Sequence, residues 1–362
     1  MYNGMNPNSR ISLLLSSLAN DDSSLGRIGT HLAKFFAVDK AFDVWMDLWK
    51  ESSTQDPDVV ALARRDEAPM KFDVVLRKSD PYSASALAHK AVKVVSYIYY
   101  DAVKIEPVAV ANINRYVTTL VAPSEFTKKR FQGFGVTVPI EVIPLAVDSQ
   151  FFHPRASPKK KEKFTFLYYG EHSHRKGTDL LLKAFCEEFG NQEDVELLLV
   201  VSNFNRPDLL PNPTEWVRNA NVANVRIVMA RPPNEELLEY IQSSDCFVGL
   251  TREDSFGMCG LESMACGLPV IAPLNSGYAQ YVEDGINGRL VSGTRVEHDR
   301  WEWIPSVDEA KTAMREFYTM WKNDDVNLAG YSGNARATAV RLSWKELGQR
   351  FHDLLIHVTS NQ

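Results

Sequence analysis

Short apolar runs, rich in β-branched and aromatic residues, recur along this 362-residue chain, with stretches of helical period between them. They are ISLLLSS (from Ile11), FDVVL (Phe72), VVSYIYY (Val94), TTLVAPS (Thr118) and VIPLA (Val142). After Pro154 the series restarts with FTFLYYG (Phe164), VELLLVV (Val195), VRIVMA (Val225), CFVGL (Cys246) and PVIAP (Pro269). Runs that are apolar throughout, instead of alternating, belong to strands covered on both faces by helices. Repeated strand–helix units predict parallel, doubly wound sheets with right-handed crossovers. Between the two series lies HPRASPKKKEK, His153 to Lys163, which carries two prolines and five lysines or arginines and no helical period. It reads as an exposed linker. The expected plan is an α/β chain of two Rossmann-like domains: residues 1–150, a linker over 151–163, a second domain over 164–342, and a last helix over 343–362. In open parallel sheets ligands bind beyond the carboxyl ends of the strands. Two such domains facing across a cleft would hold a substrate between them.

Composition narrows the function classes. Charged residues make up 24% and hydrophobic residues 44%, the balance of a water-soluble globular protein. The longest apolar runs fall far short of a membrane span. ISLLLSSL lacks a preceding basic cluster and a small-x-small cleavage site, so it reads as a first strand and not as a secretion signal. Net charge is −6; up to Ile143 there are 17 basic and 16 acidic residues, leaving 23 against 30 beyond it. No basic stripe of the kind nucleic-acid binders show is present. The one dense basic cluster, KKKEK from Lys159, reads as a solvated linker, with a membrane-surface patch as the second reading. Four cysteines without a C-x-x-C pair suit a reducing cytosol. His172 and His174 have metal-ligand spacing but no third ligand nearby, so they read as solvated loop histidines. No G-x-G-x-x-G follows the first strand and there is no G-x-S-x-G elbow, which disfavours a dinucleotide dehydrogenase and a serine hydrolase.

The chemistry concentrates in Thr251 to Pro273, TREDSFGMCGLESMACGLPVIAP. A strand ends at Leu250, a turn carries Glu253, Asp254 and Ser255, and a helix begins near Gly257 and stops at Gly267. A helix N-terminus at a strand's carboxyl end offers unpaired N–H groups and the positive end of the helix dipole, suited to phosphate. The backbone of Phe256, Gly257 and Met258 would make that contact. Glu262, one turn further in, could accept two hydrogen bonds from a ribose diol. An ordinary helix with an acidic first turn is the equally weighted reading of the spacing alone.

Asp254-Ser-Phe-Gly-Met-Cys-Gly-Leu-Glu262, followed by Ser-Met-Ala-Cys-Gly-Leu-Pro-Val, resembles the paired-acid motif of retaining glycosyltransferases of family 4, enzymes of the two-domain GT-B fold. The resemblance implies that Glu262 holds the nucleotide ribose and that Asp254, with Ser255 beside it, meets the donor sugar. The family has Glu at both ends, so Asp254 is one methylene short, with Glu253 alongside. YYGEHSHRKGTDLLLKAF, from Tyr168, resembles the strand-loop-helix that grips the donor diphosphate. It puts Lys176 at the family's phosphate lysine and Glu171 where members often carry Arg, with Arg175 as the replacement charge. SSLGRIGTHLAKF, from Ser23, resembles the glycine loop that opens the first helix, with Gly26 and then Gly29 close to the donor phosphate. VAPSEFTKKRFQGFG with VIPLAVDSQFFHP resembles the last strand, helix and crossover of the N-terminal domain; Ser124 and Glu125 would sit at the rim, and helix capping alone accounts for Ser124. In SYIYYDAVKIEP, Tyr100 and Asp101 fall where many members have an active-site histidine. Asp101 is thereby a candidate catalytic residue with Lys176 and Asp254, while capping of the next turn explains it equally well. SWKELGQRFHDLL, from Ser343, resembles the helix that returns to the N-terminal domain.

Together these imply a metal-independent, retaining transferase, cytoplasmic or peripheral at a membrane, with an N-terminal acceptor domain and a C-terminal donor domain. Its donor would be a UDP- or GDP-sugar, bound as substrate with no cofactor. The acceptor is open: a glycan, a lipid-linked sugar, a protein, a small molecule or, less favoured, a modified nucleic-acid base. Base contacts are expected to the backbone around Ala230–Arg231. Two alternatives are a GT-B nucleotide-sugar hydrolase or epimerase, and a non-catalytic nucleotide-sugar-binding protein.

Overall fold

The computed structural model describes residues 10–20, 24–99, 105–156, 161–191, 193–202, 210–220, 224–297 and 301–360. The chain divides into two units: Met1–Ala146 with Trp344–Gln362, and Val147–Ser343.

The first unit is built on β1 (Ile11–Ser17), β2 (Phe42–Leu48), β3 (Phe72–Ser79), β4 (Ala91–Ile98), β5 (Thr119–Ala122) and β6 (Ile140–Val142). These form a parallel sheet in the order β2-β1-β3-β4-β5-β6. Its helices are α1 (Ser24–Ala37), α2 (Pro57–Ala63), α3 (Pro107–Tyr116) and α4 (Glu125–Gly133). The core gathers Leu14, Val75, Val94, Ile98, Ile113, Leu120 and Phe131. Two differences from the sequence reading have plain causes. β2 is FDVWMDL, an edge strand that alternates apolar and polar, and so lacks the continuous apolar run that marks the central strands. Its polar face is used: Asp43 pairs with Arg10, and Asp47 accepts from Ser16 Oγ at 2.8 Å. The strand expected from Val142 instead ends there, because Pro144 has no N–H to continue the ladder.

The second unit holds β7 (Phe164–Glu171), β8 (Val195–Ser202), β9 (Val225–Met229), β10 (Cys246–Val248), β11 (Val270–Pro273) and β12 (Gly288–Val291). The order is β12-β11-β10-β7-β8-β9, all parallel. Its helices are α5 (Thr178–Glu188), α6 (Pro213–Ala220), α7 (Asn234–Gln242), α8 (Met258–Ala265), α9 (Val307–Lys322) and α10 (Val326–Arg341). Counted from β7, this is the six-strand order of a nucleotide-binding sheet, and the winding reverses between β7 and β10. A two-stranded antiparallel hairpin, β13 (Gly293–Glu297) with β14 (Trp301–Pro305), follows β12. In the linker stretch Lys161 is anchored and not simply solvated: its Nζ reaches Asp245 at 2.7 Å and the Ser244 carbonyl at 2.9 Å.

The last helix, α11 (Trp344–Ser360), belongs to the first unit. Leu347, Phe351, Leu355 and Val358 form its buried stripe. Phe351 meets Tyr97 of β4 with ring centroids 5.0 Å apart, and Trp344 stacks on His31 of α1 at 4.2 Å. Among the described residues, no helix is long and apolar enough to cross a membrane.

Candidate donor site in the second unit

The loop after β7 and the loop after β10 leave the sheet at the point where the winding reverses, and each runs into a helix through a glycine. Gly177 caps α5 with φ +64°, and Gly257 caps α8 with φ +84°. A β-carbon on Gly177 would lie 1.8 Å from the Leu250 carbonyl oxygen, and one on Gly257 would lie 2.5 Å from the Tyr278 ring. Both loops are therefore pressed against their surroundings where the chain reverses.

The side chains converge on Asp254. Its Oδ1 accepts the Gly257 N–H at 2.8 Å and the Phe256 N–H at 3.2 Å, and its Oδ2 accepts from Lys176 Nζ at 2.5 Å. Burial pushes this carboxyl's pKa up; Lys176 and then Arg175 outweigh that and hold it below the usual carboxylate range. Asp254 thus closes the turn that leads into α8 and fixes the phosphate-lysine candidate at the head of that helix. Of the backbone donors read from sequence, Phe256 and Gly257 are given to Asp254. The N–H groups of Met258 and Cys259 have no protein partner among the described residues, and they lie in the first turn of α8, where the dipole is positive.

Glu262 is buried on α8, where its Oε2 accepts from Tyr169 Oη at 2.9 Å. Burial first, and then Glu262, raise the Tyr169 phenol well above its ordinary range, so the hydroxyl stays a donor. Tyr281 Oη donates to the Gly257 carbonyl at 2.5 Å. Ser255 and Phe256 are buried in the turn, and Gly277 packs so tightly there that a β-carbon would meet the Ser255 carbonyl oxygen at 2.2 Å. Arg175 donates to Glu171 at 3.1 Å and to the Glu253 carbonyl at 3.3 Å, so the acid at the family's arginine position is tied to the neighbouring cation.

His172 is not a solvated loop histidine. It is buried, with Nδ1 2.8 Å from Thr178 Oγ1 and Nε2 2.9 Å from the Pro211 carbonyl. His174 pairs with Glu302 of β14 at 3.2 Å. Sequence reasoning passed over Arg252, which is buried and forks onto Asp179 with bonds of 2.8 and 2.7 Å. Its neighbours in TREDSFG drew the attention; a buried Arg inside an acidic turn is itself the signal, because it demands a partner.

The first-unit candidates are placed separately. Gly26 is buried in α1, and the space a β-carbon would need is filled by Asn20, 2.0 Å away. Ser124 caps α4 by accepting the Thr127 N–H at 3.2 Å. Asp101 and Tyr100 lie outside the described residues.

Residues 149–301 match the family model described as Glycosyl transferases group 1. Over those residues the chain is similar to that family. D-inositol 3-phosphate glycosyltransferases are among its curated relatives: that of Thermobispora bispora is 24% identical over 230 residues, covering 59% of this chain and 50% of the relative. That of Streptosporangium roseum is 27% identical over 238 residues, covering 61% and 50%. The chain spans about half the length of these relatives. Solved structures match over far more of their length. A glycosyltransferase of Rickettsia africae aligns over 100% of both chains with TM-score 0.72 and 15% identity. The Anabaena protein HepE, solved in complex with UDP and glucose, aligns over 96% of this chain and 100% of its own, with TM-score 0.71 and 15% identity. At that identity the likeness is one of fold, which is GT-B.

Proposed function

We propose that this protein is a group 1 glycosyltransferase that moves a sugar from a UDP- or GDP-sugar to an acceptor hydroxyl, with retention and without a metal. The observation that carries the proposal is the convergence at Asp254: one carboxylate fixes the Lys176 ammonium beside the N–H groups of Met258 and Cys259, which have no protein partner among the described residues. Lys176, Arg175 and that helix start supply positive potential for a diphosphate leaving group where negative charge develops. Glu262, anchored by Tyr169, is the ribose ligand. The sugar C1–phosphate oxygen bond breaks as the acceptor oxygen bonds C1 from the same face. The acceptor proton passes to the departing phosphate oxygen, so the step needs no protein nucleophile. HepE, solved with UDP and glucose, makes a UDP-sugar the first donor to try. The four cysteines are free thiols, which fits a reducing, cytosolic setting.

One observation favours a binding-only reading. Asp254 has both oxygens engaged by the chain itself, at the position where the family resemblance puts a sugar contact. Turnover separates the readings. A transferase releases nucleotide from UDP-glucose or GDP-mannose only slowly until an acceptor is added. Rapid release without one identifies a hydrolase, and no release with any acceptor tried supports the binding protein. Glu262→Ala should weaken UDP binding about 10-fold or more, the loss of a hydrogen-bonded carboxylate; unchanged affinity would remove Glu262 from the site.

A further inference from the structure

Among the described residues of the second unit, Arg252 is the one buried guanidinium, and it reaches both loops of the site. Nη1 donates to the His174 carbonyl at 2.6 Å and to Asp179 at 2.8 Å, while Nη2 donates to the other Asp179 oxygen at 2.7 Å. Asp179 lies in the first turn of α5, directly after the loop that carries Arg175 and Lys176. The backbone joins in. Arg252 N–H donates to the Arg175 carbonyl at 2.8 Å, and Thr251 Oγ1, with one proton to give, lies 2.9 Å from that carbonyl and 2.7 Å from the Glu253 carbonyl. Burial raises the Asp179 carboxyl, and Arg252 more than reverses the shift, so the pair is charged at neutral pH. A bidentate fork fixes both direction and distance, which a lysine cannot do.

These contacts set the position of one loop on the other. The Lys176–Asp254 bond and the Arg175 bonds to Glu171 and Glu253 hold the two cations by their side chains, while the Arg252 contacts hold the backbone that carries them. We infer that Arg252 is a positioning residue: through Asp179 and the His174 carbonyl it holds Arg175 and Lys176 at the diphosphate position, without itself touching the donor. This rests on the donor site lying where the proposed function puts it.

The inference separates phosphate recognition from the rest of the site. Calorimetric titration of the whole chain with UDP and with UMP reads it directly, with GDP and GMP in their place if guanine is the base. Arg252→Gln should lose about 10- to 100-fold in affinity for the diphosphate, the size of effect that a misplacement near 1 Å produces. The monophosphate should lose much less, so the preference for the diphosphate narrows. Arg252→Lys should not restore it. Thr251→Val removes the hydroxyl that bridges the Arg175 and Glu253 carbonyls of the two loops without uncovering a charge. It should shift the same ratio in the same direction by a smaller factor, and it carries the test if Arg252→Gln fails to fold. An unchanged diphosphate-to-monophosphate ratio in a folded variant would overturn the inference. So would an equal fall for both ligands, the mark of general destabilisation. If the parent chain binds none of these nucleotides, it is the donor-site reading that fails, whatever the variants do.

Discussion

Asp254 accepts three donors at once, from two backbone N–H groups and one ammonium, and that division of labour is testable. Asp254→Asn keeps an oxygen for the Phe256 and Gly257 N–H groups but takes from Lys176, largely buried, the counter-charge of Asp254. The expected cost is about 2 kcal/mol at neutral pH. The carboxyl's pKa is depressed in the folded state, so its contribution is present above the unfolded value near 3.8 and is lost as pH falls through the lower folded value. The gap between parent and variant should therefore be full at pH 7 and narrow below about pH 4, as urea unfolding at the two pH values would record. Of the candidate site, the acids and Lys176 were legible through their likeness to the family's motifs, which are local stretches of sequence. That Asp254 would turn inward onto Phe256 and Gly257 was not: a shorter side chain at the head of a helix finds its own backbone, and only folded geometry reports that. Arg252 was illegible for the opposite reason, since its partner Asp179 is 73 residues away.

At the scale of elements, both helix starts at the winding reversal depend on glycines in the left-handed region. Gly257→Ala would combine that backbone strain with a β-carbon against the Tyr278 ring, at a cost of about 2–4 kcal/mol. Gly133, at the exposed end of α4 with nothing within 4 Å of its β-carbon position, is the control. Gly133→Ala should be neutral or stabilise by about 0.5 kcal/mol. Equal effects at the two sites in urea titrations would show that the packing at Gly257 yields to a β-carbon. The central strands β1, β3, β7, β8 and β10 announced themselves because burial on both faces leaves an uninterrupted apolar run. β2, β12 and the β13–β14 hairpin did not. Edge strands and exposed hairpins have a face in water, and their sequences carry aspartates, arginines and glutamates that break the run.

At the scale of the molecule, the feature to follow is α11, which completes the first unit from the far end of the chain. Ending the chain after Ser343 would expose Tyr97, one of the largest fully buried side chains, and remove the buried stripe of Leu347, Phe351 and Leu355. Heated, such a truncation should lose the transition of the first unit and keep that of the second; two intact transitions would show that α11 is dispensable. The same connectivity governs synthesis. Domains usually mature in the order they leave the ribosome, but here the segment made first must wait through about 200 residues for its closing helix. A nascent chain halted at Ser343 would carry a finished second unit and an open first one. Of the two units, the one translated earlier is thus the one longer exposed to chaperones and proteases, until the seventeen residues of α11 arrive.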